Sequence, residues 1–207
     1  MSGEAGEFSE PASGEALERV AAKLAERNIK ATVVPGAAQA REAVLERLPA
    51  GAEVHAGKSK TLQDIGVTPV LAEGGGYNYL RNVYLKMDRA TQMREIRKLI
   101  SAPDFMLGSV SAVTRNGILV AASATASQLG PYAAGGGKVI LVVGSQKIVA
   151  NLDAALRRIR EYVLPWEDAQ VRSAVPTGSF VGKILVIERE WVAGRIDVIL
   201  VREPVGI

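Results

Sequence analysis

The stretch that decides the fold runs from residue 104 to residue 163 and reads DFMLGSVSAVTRNGILVAASATASQLGPYAAGGGKVILVVGSQKIVANLDAALRRIREYV. It contains two apolar runs of strand length, 118–122 and 139–143, and Gly or hydroxyl residues follow each of them. Apolar residues then recur at helical spacing over 146–163, which predicts a helix with one buried face. Buried strands that lead through small polar turns into helices are typical of an α/β sheet.

The rest of the chain alternates in the same way. Hydrophobic spacing predicts further helices over 13–27, 38–48, 88–100 and 124–134, and further strands over 31–34, 53–56, 104–107, 183–187 and 196–201. After Pro165 the chain is expected to be irregular up to about residue 178. We therefore predict a single α/β domain over 14–207, an open sheet with helices on both faces. Residues 1–13 are acidic, small and polar, and we expect a disordered tail there.

Composition excludes several classes of protein. A chain of 207 residues suits one compact domain. It has no cysteine, which excludes disulfides, a cysteine nucleophile, zinc–thiolate sites and an iron–sulfur cluster held by thiolates of this chain. The start lacks the basic and apolar regions of a signal peptide, and no apolar run approaches the roughly 18 residues needed to cross a bilayer. We therefore expect a cytoplasmic protein with no membrane partner.

Charge disfavours nucleic-acid binding. The net charge is +3, and the basic residues are scattered among acids. The densest basic group is Arg157, Arg158 and Arg160, and Asp153 stands four residues before Arg157, which predicts a solvated, internally paired helix face. A nucleic-acid surface would need a denser basic stripe with exposed aromatic residues.

The segment GKSKT, which follows the predicted strand 53–56, contains a candidate anion site. It is not a P-loop, since Gly51 precedes Gly57 by six positions and the motif G-x-x-x-x-G-K-[ST] requires five. Two lysines and two hydroxyls before a helix N-terminus are nevertheless typical of an anion cradle, with Gly57, Lys58, Ser59 and Thr61 as the predicted contacts. An ordinary solvated turn explains the segment equally well.

Hydroxyl side chains follow two predicted strands, with Ser109, Ser111 and Thr114 after the first and Ser123 after the second. Small hydroxyls at strand ends in an open α/β sheet can line a ligand crevice, although they also cap helices and fill turns. We expect the crevice, because we expect strands 104–107 and 118–122 to be neighbours.

Two further positions carry candidate chemistry. The turn that contains Gly144 and Lys147 does not match G-x-G-x-x-G, which disfavours a Rossmann dinucleotide site but leaves a ligand role for the turn open. His55 is the only histidine, and Glu53 on the same strand face could orient it as a base. A structural role for His55 is more typical, since no Ser or Cys is spaced to use it. No cluster of metal ligands is visible.

Four segments carry a family resemblance. GKSKTLQDIGV (57–67), SVSAVTRNGILV (109–120), GGKVILVVGSQKIVANLDAALRRIR (136–160) and GRIDVILVREPVG (194–206) resemble the LUD-domain family, which includes lactate utilization protein C. The resemblance spans about residues 14–207. It implies a fold similar to the ribose-phosphate isomerase and CoA-transferase type.

The resemblance also implies a function. Family members are associated with oxidising L-lactate to pyruvate in a multi-subunit system, in which a partner subunit carries iron–sulfur clusters. We therefore expect a small carboxylate or phosphate ligand, with anion contacts from Lys58, Ser59 and Thr61. Electron acceptance needs a cofactor or a partner, because side chains alone cannot supply it. The sequence does not name that cofactor.

This chain departs from its relatives in two places. Many relatives carry a Cys-rich segment where residues 165–183 have none, and they read Gly-Asn-Arg where this chain has Ala126-Ser127-Gln128. The bidentate fork of that arginine is therefore absent. Two alternatives remain open: an isomerase or CoA-transferase-like enzyme on a phosphorylated or CoA substrate, and a non-catalytic subunit with aromatic anchors at Tyr77, Tyr79, Tyr84 and Trp191. A homo-oligomer is compatible with each.

Overall fold

The computed structural model of the protein describes residues 4–74, 76–172 and 176–207. Its strands are β1 Lys30–Val34, β2 Glu53–Ala56, β3 Asn78–Tyr79, β4 Phe105–Gly108, β5 Ala112–Thr114, β6 Leu119–Ser123, β7 Lys138–Gly144, β8 Ile148–Val149, β9 Lys183–Ile187 and β10 Ile196–Val201. A parallel sheet has the order β1-β10-β7-β4-β2-β3. A second, mixed sheet has the order β8-β5-β6-β9.

The α-helices are α1 Glu4–Glu7, α2 Gly14–Glu26, α3 Ala37–Glu46, α4 Lys60–Asp64, α5 Val67–Ala72, α6 Leu80–Tyr84, α7 Met93–Ser101, α8 Leu152–Arg158 and α9 Leu164–Val171. Two single π-turns, Pro131–Gly135 and Ile159–Val163, and a 3₁₀ turn, Ser145–Lys147, complete the regular structure of the described residues. None of the helices in the described ranges is long and apolar enough to cross a bilayer.

Strands β7 and β10 form the centre of the parallel sheet. Val139, Leu141 and Val143 pack into the core on one face, whereas Ile140 and Val142 pack into the core on the other. This alternation explains the unbroken apolar run, because a parallel strand covered on both faces has no solvent side. The predicted α/β fold with helices on both faces of the sheet is thereby confirmed. The mixed sheet is a further element that the sequence does not predict.

The predicted disordered tail is wrong for the part next to the domain. Phe8 is 2% exposed and packs with Val120 and Ile159, and the amide of Ala12 donates to the carbonyl of Ser145 at 3.2 Å. The Phe8 ring buries apolar area against the domain, and the guanidinium of Arg158 donates to the Phe8 carbonyl, so this part of the chain is held in place. Residues 1–3 lie outside the described residues.

The long helix begins later and ends later than its periodicity predicts. It starts at Leu152, where the Asn151 side chain accepts a hydrogen bond from the amide of Ala154 at 2.9 Å. Residues 148–149 instead form β8. In a regular α-helix a proline ring clashes with the carbonyl four residues before it. Here a π-turn precedes Pro165 and shifts that carbonyl, so the helix continues through Pro165 to Val171. Residues 173–175 of the cysteine-free segment lie outside the described residues.

Arg158 does not lie on a solvated face, as its place in the basic group suggests. It is fully buried, and its guanidinium donates to the carbonyl of Ser111 at 2.5 Å and to that of Phe8 at 3.3 Å. Arg157 does lie at the surface, but it pairs with Glu161 and Glu7 and makes no ion pair with Asp153 in the described part of the chain.

Three other expectations are wrong. The predicted helix over 124–134 is reduced to a short helical stretch over 129–135, of which Pro131–Gly135 is the π-turn. The helix predicted from residue 88 begins only at Met93, since the Asp88 carboxylate closes a turn on the amide of Ala90 and the hydroxyl of Thr91. Strand β6 pairs with β5 and β9 in the mixed sheet, so it is not a neighbour of β4.

Candidate functional site

A small cavity opens where three neighbouring parallel strands end. The carboxyl ends of β2, β4 and β7 lie side by side, so the loops that follow them meet at one edge of the sheet. The cavity between these loops has a volume of about 130 Å³. Seven of the predicted ligand contacts line it: Gly57, Lys58, Ser59, Thr61, Ser109, Ser111 and Lys147. Their role in binding stays a prediction.

Lys147 is the central charged group of this cavity. It is 3% exposed, and its Nζ donates to Thr61 Oγ1 at 2.8 Å and to Ser109 Oγ at 2.9 Å. The 3₁₀ turn after β7 positions it there, in place of the helix start that the sequence predicts. Within the described ranges no carboxylate lies at ion-pairing distance from Nζ. Lys147 is therefore a buried amine held by hydroxyl groups.

The surroundings shift the protonation of this amine. Burial, and secondly the positive charge of Arg158, lower the pKa of Lys147 from its ordinary value of 10.5 to about 7, while the charge of Asp64 acts in the opposite direction. An ammonium has three N–H donors, and the two hydroxyls take two of them. The third N–H of the charged form, or the lone pair of the neutral form, is left for a molecule in the cavity.

The hydroxyls around Lys147 are themselves oriented. Ser109 Oγ donates its proton to the Val142 carbonyl at 2.7 Å, so its lone pairs accept the hydrogen bond from Lys147. Ser59 Oγ accepts from the amide of Leu62 at 3.3 Å, and Ser111 Oγ accepts from that of Ala122 at 3.2 Å. The O–H groups of Ser59 and Ser111 thus remain available as donors.

Lys58 lies at the mouth of the cavity. Its side chain is 55% exposed, and its Nζ lies 3.8 Å from a carboxylate oxygen of Glu167 on α9. An exposed ion pair at this distance is weak, so Lys58 keeps most of its freedom to meet an anion.

Three of the predicted contacts do not line the cavity. Thr114 is buried in the β5–β6 hairpin, where its Oγ1 accepts from the amide of Ile118 at 3.0 Å. Ser123 Oγ accepts from the amide of Ala126 at 3.0 Å and closes a turn. Gly144 fills a close approach, since a Cβ there would lie 2.5 Å from the Val205 carbonyl oxygen. Each of the three has a structural role that its sequence position does not reveal.

Several residues that line the cavity were not predicted from the sequence, and those with polar or aromatic side chains include Gln128, Tyr132, Trp166 and Glu167. The buried Tyr132 hydroxyl donates to the Ser109 carbonyl at 3.2 Å, and burial raises the pKa of Tyr132. Trp166 and Glu167 reach the cavity only because the long helix passes Pro165. No sequence motif marks these positions, although a helix continued through the proline would have placed the last two.

The pairing of His55 with Glu53 that a shared strand face would allow is not formed. Neither ring nitrogen of His55 has a hydrogen-bond partner in the described part of the chain. Nor do the residues that the structure describes contain a group of three or more His, Asp or Glu side chains that could hold a metal ion. Without cysteine, this chain's own residues do not fit an iron–sulfur cluster.

The four proposed aromatic anchors differ in exposure, and Tyr77 is partly buried against the core. Tyr79 and Tyr84 are buried, at 4% and 8% exposure, and so cannot anchor a partner as they stand. Trp191 is 93% exposed on the loop between β9 and β10, and Val192 beside it is 55% exposed.

Comparison with known proteins identifies the family. The LUD-domain model matches residues 17–201. A DUF162 family protein from Deinococcus radiodurans is similar, with 15% identity and a TM-score of 0.49 over 92% of this chain and 99% of that chain. A D-ribose-5-phosphate isomerase in complex with phospho-erythronic acid has 14% identity and a TM-score of 0.43, over 82% of this chain and 95% of that one. The ribose 5-phosphate isomerase of Plasmodium falciparum has 14% identity and a TM-score of 0.35, over 56% and 52%. No curated protein matches the chain. The match over 17–201 shows that the chain belongs to the LUD-domain family, as its motifs predict.

Proposed function

We propose that the protein binds a small organic anion, a carboxylate such as lactate or a small phosphate, in the cavity around Lys147. The observation that carries this proposal is a buried amine whose charged form has no counter-ion within the described residues. A buried charge is unfavourable unless it is paired. An anion in the cavity would provide the pair and would raise the pKa of Lys147 again.

The dimensions and donors of the cavity support a small ligand. Its volume of about 130 Å³ is below the roughly 300–1,000 Å³ of sites for drug-sized molecules. Besides Lys147, the hydroxyls of Ser59 and Ser111 can each donate to an oxygen of the ligand, and Lys58 adds a positive charge at the mouth. A hydroxy acid matches this set, since its carboxylate accepts hydrogen bonds and its hydroxyl can do so as well.

The proposal extends to lactate utilisation, the activity associated with the family. Oxidation of lactate to pyruvate releases two electrons and two protons. Lys147 binds the carboxylate in its charged form, and no side chain of this protein accepts the electrons. We therefore place the protein in a multi-subunit system in which a partner with iron–sulfur clusters takes them.

The test is calorimetric titration of the purified protein with lactate, pyruvate, glycolate, phosphate, ribose 5-phosphate and CoA. We expect lactate or pyruvate to bind, and Lys147→Met to weaken binding at least tenfold. The control is Lys138→Met, at the other end of β7. Equal affinity in Lys147→Met and wild type would refute the site. Exclusive binding of ribose 5-phosphate or CoA would instead favour an isomerase or transferase.

A second candidate role, docking to that partner subunit, has one observation in its favour. Trp191 and Val192 form an exposed apolar patch, and tryptophan is enriched among residues that dominate protein–protein binding. In a pull-down with a co-expressed iron–sulfur subunit, we expect Trp191→Ala to reduce recovery. Full recovery with this variant would remove the patch from the interface.

A further inference from the structure

A second cavity lies beside the first, on the other side of the loop formed by Gly57 and Lys58, which line both. Its volume is about 570 Å³. Its walls come from the end of β2, from α6 and α7, from residues 125–127 and from the start of the π-turn at Pro131. It is thus several times larger than the cavity around Lys147 and within the range of sites for drug-sized ligands.

His55 lies against this second cavity with its hydrogen-bonding capacity unused. Its side chain is 1% exposed, and neither Nδ1 nor Nε2 has a partner within the described ranges. The ring packs edge-on against Tyr84, with ring centroids 5.8 Å apart. Buried polar groups without partners are rare in folded proteins, and each calls for an explanation. A ligand in the adjoining cavity would supply the missing hydrogen-bond partner.

The charge around the second cavity is of one sign. Four cationic side chains line it, and no carboxylate does: Lys58, Arg81, Arg89 and Arg97. The three arginines make no ion pair with any described residue, and Arg81 donates instead to the Tyr84 hydroxyl at 3.2 Å. Guanidinium groups suit phosphate oxygens, because their planar fork can donate two parallel hydrogen bonds.

A large part of the remaining wall is apolar, although Ser101, Thr125 and Ser127 also line the cavity. The apolar part is formed by Tyr84, Met93, Ile96, Ile100 and Pro131. A ligand for this cavity therefore needs more than negative charge, since an inorganic anion would leave the apolar wall uncovered. The neutral imidazole of His55 offers one donor and one acceptor, which match the edge of a heterocyclic base. Burial, and secondly Arg81, lower the pKa of His55 to about 4, in keeping with that neutral form.

We propose that the cavity between His55 and the arginines at 81, 89 and 97 is a second ligand site, for a nucleoside phosphate. The phosphates lie against the guanidinium groups, and the base packs on the apolar wall with its polar edge toward His55. This site goes beyond the anion site at Lys147 and does not depend on it, although an occupant of one cavity could touch the occupant of the other across Gly57.

The experiment is calorimetric titration of the full chain with ADP, adenosine and pyrophosphate. We expect ADP to bind, and adenosine and pyrophosphate each to bind at least tenfold more weakly. The exposed double substitution Arg89→Gln with Arg97→Gln should weaken ADP binding at least tenfold. Arg94→Gln, on α7 with Arg97 but outside the cavity lining, is the control and should leave ADP binding unchanged.

Two further variants separate this site from a structural role and from the first site. His55→Leu should lose ADP affinity while its melting temperature stays at or above that of the wild type, because no intramolecular hydrogen bond is removed. Lys147→Met should bind ADP as the wild type does. Absence of ADP binding, or equal affinity in the double arginine variant and the wild type, would overturn the proposal. Pyrophosphate binding as tight as that of ADP would overturn the nucleoside part.

Discussion

Lys147 links stability to pH through its burial. Its pKa is about 7 in the folded protein, against 10.5 ordinarily, so between these pH values the unfolded chain holds a proton that the folded one lacks. The free energy of unfolding therefore rises with pH across this window, and the full penalty applies below pH 7. Each unit of the difference corresponds to about 1.4 kcal/mol. We expect Lys147→Met to be more stable than the wild type at pH 6, and this advantage to shrink toward pH 10 in urea denaturation. A constant difference between the two proteins would show that the amine does not titrate there.

The same titration should control ligand affinity. Only the charged amine attracts an anion, so affinity for lactate or pyruvate should fall as the pH rises above 7. We expect at least tenfold weaker binding at pH 9 than at pH 6.5, measured by calorimetry. Lys147→Met, which cannot titrate, should show little change. An equally steep pH dependence in this variant would mean that another titrating group controls the ligand affinity.

The helix of α8 and α9 shows how one cap and one π-turn determine a whole element. Asn151 fixes its start by accepting from the Ala154 amide, and the π-turn lets it pass Pro165. Asn151→Ala should lower the free energy of unfolding by about 1 kcal/mol. The exposed Gln170→Ala on the same helix should change it by only a few tenths of a kcal/mol, since alanine favours a helix slightly. Equal effects of the two changes in urea denaturation would show that the cap is not formed.

The molecule as a whole assembles the Lys147 cavity from segments far apart in the chain: the loops after β2, β4 and β7, and the helix that carries Trp166. Because Trp166 lines the cavity and Trp191 is remote in the exposed loop, the two tryptophans should report differently on binding. In Trp191→Phe, we expect lactate or pyruvate to change the fluorescence of Trp166. In Trp166→Phe, the signal should stay constant. A ligand-induced change confined to Trp166→Phe would place the ligand elsewhere.

The sequence by itself determined the longer strands, because buried strands such as β7 and β10 are apolar on both faces and their apolar runs are visible in the chain. The short strands β3, β5 and β8 carry no such run, and the sequence did not predict them. It also identified the GKSKT loop, Ser109, Ser111 and Lys147 as candidate ligand contacts, since strand ends, hydroxyls and lysines are visible in a single chain. Only the tertiary structure decided which of these meet. The β7 turn directs Lys147 inward, whereas hairpin pairing removes Thr114 from the cavity. The tertiary structure also decided that Tyr132, Trp166 and the arginines around His55 line cavities. Contacts between distant segments depend on the order of the strands and the direction of the helices, and neither leaves a local pattern in the sequence.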